Sequence, residues 1–127
     1  MIRPRPLALM KKPAALLDPD EAGVCPLLAP APNVTHGIVS QAVLTAPGLR
    51  LTLFHFAAGQ ELSEHTTPAR ALVQVLSGSC DFTVPGGVRR LLAGDLLHMP
   101  PGLPHAVRAV DDLSLLLTQA SPPPAAK

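Results

Sequence analysis

Residues 94–105, GDLLHMPPGLPH, carry the reading of this 127-residue chain. A glycine turn opens the stretch and a short apolar strand follows over 96–99. The Pro100-Pro101-Gly102 corner then sets one imidazole, His105, at a fixed offset. Proline fixes its own φ, and glycine reaches backbone conformations closed to other residues, so such a corner holds one shape. Residues 59–78, GQELSEHTTPARALVQVLSG, repeat the plan: a glycine, a polar approach, His65, a strand and a closing glycine. Two stiff corners that each present a histidine predict a shared site inside a β-barrel.

Outward from these corners the punctuation is that of strands. Strands are expected over 34–44, 49–56, 71–76, 80–84, 88–92, 96–99, 107–110 and 113–118, with Pro47-Gly48, Ser77-Gly78, Pro85-Gly86-Gly87, Gly94-Asp95 and Asp111-Asp112 between them. In the second strand Leu51, Leu53 and His55 share one face, and Thr52, Phe54 and Phe56 share the other. Both faces are mostly apolar, which predicts a strand covered on both sides. Turn signals recur about every 8–12 residues with no helical period between them, the pattern of an all-β fold: a small double-sheet jelly roll or barrel. Residues 1–33 hold seven prolines, Pro4, Pro6, Pro13, Pro19, Pro26, Pro30 and Pro32, and are expected to form an arm packed along the barrel or across a partner. The barrel is assigned to 34–120 and a proline-rich tail to 121–127.

Composition narrows the function classes. The length predicts one domain with a proper core. Apolar residues make up 47% and charged ones only 15%, so a partner subunit is expected to cover part of the surface, most simply in a homodimer. A net charge of +1 offers no electrostatic footprint for nucleic acid. Lys11, Lys12 and Pro13 interrupt the apolar start before a signal peptide's core is complete, and no apolar run is long enough for a membrane span. Cys25 and Cys80, far apart and in no metal spacing, are expected as free thiols. Together these predict a cytoplasmic protein. With no Trp or Tyr and three Phe, an aromatic cage or base-stacking platform is excluded.

The paired corners resemble those of the cupin superfamily, in particular its small single-domain RmlC-like members. Cupins are described by two patterns, G-x5-H-x-H-x3,4-E-x6-G and G-x5-P-x-G-x2-H-x3-N. Gly59, His65, Thr67, Ala71 and Gly78 fall on the first, and Gly94, Pro100, Gly102, His105 and Ala109 on the second, without a gap. The resemblance covers about the last three quarters of the chain and implies a small double-stranded β-helix, the jelly-roll cupin barrel. In the family, three histidines and one glutamate hold a divalent transition metal such as Zn, Fe, Mn or Ni. Carried over, His65 and His105 match metal-ligand positions, whereas Thr67, Ala71 and Ala109 replace the second histidine, the glutamate and the asparagine.

An alanine cannot bind a metal and a threonine hydroxyl is a weak neutral ligand, so two good donors remain, one short of a usual catalytic set. His98, seven residues before His105, and His55, if its face is the inner one, are the candidates to fill the missing ligand position, and Thr67 and His98 are the candidate substrate-binding residues. If position 71 faces inward, alternation puts Val73 and Val75 inside and Gln74 outside. By the same alternation Glu64 points away from His65 and is solvated, while Glu61 in the approach is less constrained. Cys80 has no base partner and reads as a small buried hydrophobe, and Arg89 and Arg90 as solvated charges at a sheet edge. Three functional readings stay open. The first is a barrel holding a divalent metal weakly on His65 and His105, with dioxygenase- or isomerase-like chemistry if it is an enzyme. The second is a metal-free barrel that binds a small-molecule ligand as a sensor or carrier. The third is a protein that only dimerises.

Overall fold

A computed structural model describes residues 15–27 and 37–122. The expectations for residues 1–14, 28–36 and 123–127 lie outside the described residues. Nine strands follow one another: β1 (Ile38–Ala46), β2 (Leu49–Phe56), β3 (Glu61–His65), β4 (Arg70–Ser77), β5 (Ser79–Val84), β6 (Gly87–Leu92), β7 (Leu96–Met99), β8 (His105–Ala109) and β9 (Leu113–Ala120). All pairings are antiparallel and build two sheets, β1-β2-β9-β4-β7 and β3-β8-β5-β6. This is the jelly-roll architecture expected from the turn spacing. The strand not expected is β3: the segment anticipated as a polar approach pairs with β8, Glu61 opposite Arg108 and Leu62 opposite Val107. No helix among the described residues is long and apolar enough to cross a membrane.

Alternation decides what each sheet buries. On β4, Ala71, Val73 and Val75 are buried between the sheets and Gln74 is exposed, as the inward placement of position 71 requires. Across the gap, β5 and β8 supply Cys80, Phe82, Val107 and Ala109, and these join Phe56, Met99, Leu113 and Leu115 in one core. A fully buried leucine or phenylalanine contributes about 1.5–3 kcal/mol relative to exposure, so this inter-sheet layer dominates stability.

The outer face of the larger sheet has a second, smaller core. Val43, Leu53 and Leu116 are buried there against Leu17, Cys25 and Leu27 of the preceding segment. Backbone bonds fix that segment to β1, from the Leu16 N–H to the Ala42 carbonyl (3.1 Å) and from the Leu17 N–H to the Val43 carbonyl (2.8 Å). This cover explains why β2 reads as apolar on both faces. Its Phe54 and Phe56 look between the sheets, while Leu51 and Leu53 pack under residues 17–27.

Candidate functional site

His65 ends β3 and His105 begins β8, and the two are direct cross-strand partners. Leu62 and His65 are an odd number of residues apart, so plain alternation would turn the imidazole outward. The register shift between them restores the inward direction: β3 spends three residues where β8 spends two, from Val107 to His105. Cross-strand partners share a face. The rings accordingly meet, with centroids 4.2 Å apart and planes at 61°. His105 is 6% exposed and its ring lies 6.5 Å from that of Phe82, whereas His65 is open to solvent on one side.

Each ring is oriented by its own corner. His65 Nδ1 lies 2.9 Å from the Ser63 carbonyl, and His105 Nδ1 lies 2.9 Å from the Leu103 carbonyl. A carbonyl oxygen only accepts, so both Nδ1 atoms carry a proton, and in the neutral ring each Nε2 keeps its lone pair for an occupant. The corners are also joined to each other. Gly102, at φ +81°, donates its N–H to the Thr67 carbonyl at 2.8 Å, tying the segment after His65 to the turn before His105. A side chain at Gly102 would meet that φ with strain, which is why glycine occupies the corner.

Between the sheets and beside this pair lies a cavity of about 80 Å³, lined by Phe54, Phe56, Phe82, Leu117, Met99 and His65 among others. One water occupies about 10–15 Å³ on this measure, so the space holds several waters or the end of a small organic molecule. All three phenylalanines of the chain line it.

The other sequence candidates fall elsewhere. His98 pairs with Leu72 on β4, and its neighbours Leu97 and Met99 face the core, so its ring stands on the outer face of the sheet. There its Nε2 accepts from Arg70 Nη1 at 2.7 Å. The structure therefore does not bring His98 to the imidazole pair; a four-residue strand with apolar residues on both faces gave no parity signal. His55 lies on the same outer face as Leu53, with Nδ1 2.7 Å from Ser114 Oγ, and burial lowers its pKa from the ordinary 6.5. Thr67 is half-buried, and its hydroxyl accepts from the Ala69 N–H at 3.3 Å; it lines a cleft next to the cavity rather than the cavity itself. Glu61 and Glu64 are exposed. Cys80 is fully buried, and its thiol pKa is pushed up to about 11, mainly by burial and further by the Asp81 charge.

The donor set does not fit a resident catalytic metal of the kind the family implies. Ala71 presents a methyl at the glutamate position and is 1% exposed, and the Thr67 hydroxyl is engaged by the backbone. Among the described residues no group of three His, Cys, Asp or Glu side chains could surround an ion.

A family model described as Cupin domain matches residues 52–118. Similar solved structures include a conserved protein of unknown function from Streptococcus pyogenes, 28% identical, covering 86% of this chain and 96% of that one, with a TM-score of 0.73. An RmlC-like cupin from Desulfovibrio desulfuricans is 30% identical over 79% of this chain and 97% of its own, at a TM-score of 0.71. A DMSP lyase from Ruegeria pomeroyi is 25% identical, covering 70% of this chain and 49% of that one, at 0.63. Among curated proteins, none matches.

Proposed function

Because this chain belongs to the cupin family, we infer that its barrel binds a small organic molecule, with His65 and His105 accepting hydrogen bonds from the ligand's polar end through Nε2. The apolar cavity beside them takes part of its carbon skeleton. The observation that carries this reading is the pair of adjoining imidazoles, each with Nδ1 turned to its own corner carbonyl, next to a space lined by the chain's three phenylalanines. Two acceptors on adjoining rings match a ligand hydroxyl, phenol or amine. The role that follows is that of a carrier or sensor.

A second reading is favoured by the same Nδ1 contacts, since imidazoles that ligate metals are oriented through the other ring nitrogen in this way. In it, His65 and His105 hold a divalent cation such as Zn²⁺ weakly, and water or a small molecule completes the shell. Dioxygenase- or isomerase-like chemistry belongs to this reading and would need a further ligand. A homodimer accompanies either reading: Val88, Leu92 and Leu96 are apolar and exposed on β6 and β7, where a second copy would cover them.

The test is a set of small phenols, alcohols and amines titrated into chelator-treated protein and followed by NMR of the Leu117, Val73 and Met99 methyls. Binding that shifts these methyls and is lost in both His65→Ala and His105→Ala supports the first reading. Methyls that no compound moves overturn it. Calorimetry with Zn²⁺ alone addresses the second: equal uptake by the wild type and the double alanine variant removes it.

A further inference from the structure

We propose that the mouth of this barrel is a carboxylate-recognition site built on Arg50, and that the ligand is a small monocarboxylic acid. The inference rests on the small-molecule reading above and names the ligand class.

Arg50 pairs with Thr45 on one side and Gln119 on the other, and Gln119 in turn pairs with Ala71, which pairs with Met99. Cross-strand partners share a face, so Arg50 and Gln119 stand on the same inner face as the buried Ala71 and Met99. Two residues along β9 from Gln119 is Leu117, which lines the cavity. The row that the family uses to present a glutamate therefore presents, in this chain, a methyl with an amide beside it and a guanidinium one strand further out. The sign of the charge at the mouth is reversed.

Thr45, Arg50 and Gln119 of this row line a cleft of about 300 Å³. Arg50 is its one charged lining residue; Thr45, Thr67, Gln119 and Ser121 add neutral hydrogen-bonding groups, and Leu49 with Pro68 supplies apolar wall. No carboxylate lines it, and among the described residues Arg50 has no acidic partner within ion-pair distance; the ion pair found there is Arg90–Asp81. Both ends of the cleft are tied down. The Ser121 N–H donates to the Gly48 carbonyl at 2.9 Å, and a Cβ at Gly48 would come within 2.9 Å of the Ser121 carbonyl, so the β1–β2 turn is seated on the end of β9. On the opposite wall, Thr67 is held by the Gly102 N–H.

A single guanidinium with neutral donors around it and apolar walls matches a monoanion with a hydrocarbon body. Its planar fork pairs with a carboxylate through two parallel hydrogen bonds. A phosphate dianion would call for a second cation or a nest of backbone N–H groups, and the lining supplies no second cation. The carboxylate sits at Arg50 and the body extends along the inner face toward Leu117.

The experiment titrates benzoate, benzamide and inorganic phosphate into the full chain and into Arg50→Gln, with NMR of the Arg50 Nε–H and the Leu117 methyls as readouts. Benzoate is expected to bind about ten-fold more tightly than benzamide, the worth of one charge-assisted hydrogen bond, and Arg50→Gln is expected to erase that difference. Benzamide shifting the Leu117 methyls as readily as benzoate, in both proteins, overturns carboxylate recognition and leaves the small-molecule reading standing. Phosphate binding at Arg50 as tightly as benzoate overturns the commitment to a carboxylate. Methyls unmoved by both aromatic compounds overturn the proposal together with the reading beneath it.

Discussion

Gly78 closes the first corner, and replacing it by alanine should be among the most damaging single changes in the barrel. Two costs combine. Its φ of +79° lies in the left-handed region, where a side chain costs about 1–2 kcal/mol. A Cβ there would also sit 2.1 Å from the Asp112 carbonyl oxygen and 3.1 Å from the Leu113 Cα. Both are backbone atoms, so no side-chain rotation relieves the overlap and the Asp111–Asp112 turn must move. That turn is bonded on several sides: Val110 N–H to the Ser79 carbonyl (2.9 Å), Ser79 Oγ to Asp111 Oδ2 (2.8 Å), and Ala58 N–H to Asp112 Oδ1 (2.9 Å). Losing two of these at about 1 kcal/mol each, beyond the φ cost, gives about 3–4 kcal/mol. A domain of this kind has about 5–15 kcal/mol in all, so the variant stands near its limit. Gly59→Ala is the matched control. Its φ is +84°, but a Cβ there meets nothing within 4 Å, so only the backbone cost of about 1–2 kcal/mol applies. Urea unfolding of both variants, with the slope unchanged, measures the difference directly. A Gly78→Ala protein no less stable than Gly59→Ala would refute the packing argument.

Other outcomes follow from particular contacts. His55 has a folded pKa below its ordinary 6.5, so stability is full above that value and declines as pH falls through the lowered folded pKa; unfolding midpoints between pH 7.5 and pH 5 should show this slope, and His55→Asn should flatten it. Phe82→Ala should cost about 3–5 kcal/mol by calorimetry and free the His105 ring beside it, whereas a loss below 1 kcal/mol would mean that the inter-sheet core is not the one described. On the outer face of the smaller sheet, Glu61, Arg108, Asp81 and Arg90 form a row of alternating charge. Hydrogen bonding from Arg90, then the Arg90 and Arg108 charges, holds the Asp81 pKa below 3.8. The stabilisation is present above pH 3.8 and is lost as pH falls through the depressed value, so Asp81→Asn should remove a small, salt-sensitive part of stability that the wild type shows at pH 6 and not at pH 2. Cys80 should stay unreactive toward a thiol reagent at pH 8 until the chain unfolds, because burial raises its pKa to about 11; labelling of Cys80 in the native protein would contradict its placement.

The sequence pattern foretells the barrel better than the site because turns are written in local chemistry and facing is not. Pro85-Gly86-Gly87, Gly94 and the Pro-Pro-Gly corner mark strand ends where the structure has them to within a few residues. The strand β3 escapes notice because Leu62 is its one apolar residue, too few to show alternation on an edge strand. The facings of His55 and His98 are hidden for a different reason: the larger sheet is apolar on both sides, because residues 17–27 cover part of its outer side. The convergence of His65 and His105 is legible from their matched corners, yet it depends on a bulge that simple alternation would not supply. Arg50 is invisible to local pattern, since its role comes from a register with Gln119 at the other end of the chain.

The central claim is that the imidazoles of His65 and His105 present their Nε2 lone pairs to one occupant. Long-range ¹H–¹⁵N spectra of histidine-labelled protein test this most directly, with Zn²⁺ as a probe of the lone pairs. Both rings should appear as Nδ1–H tautomers at pH 8, and both Nε2 signals should shift along one binding curve, while those of His55 and His98 stay in place. A proton on Nε2 in either ring, or a response from one ring alone, would contradict the account.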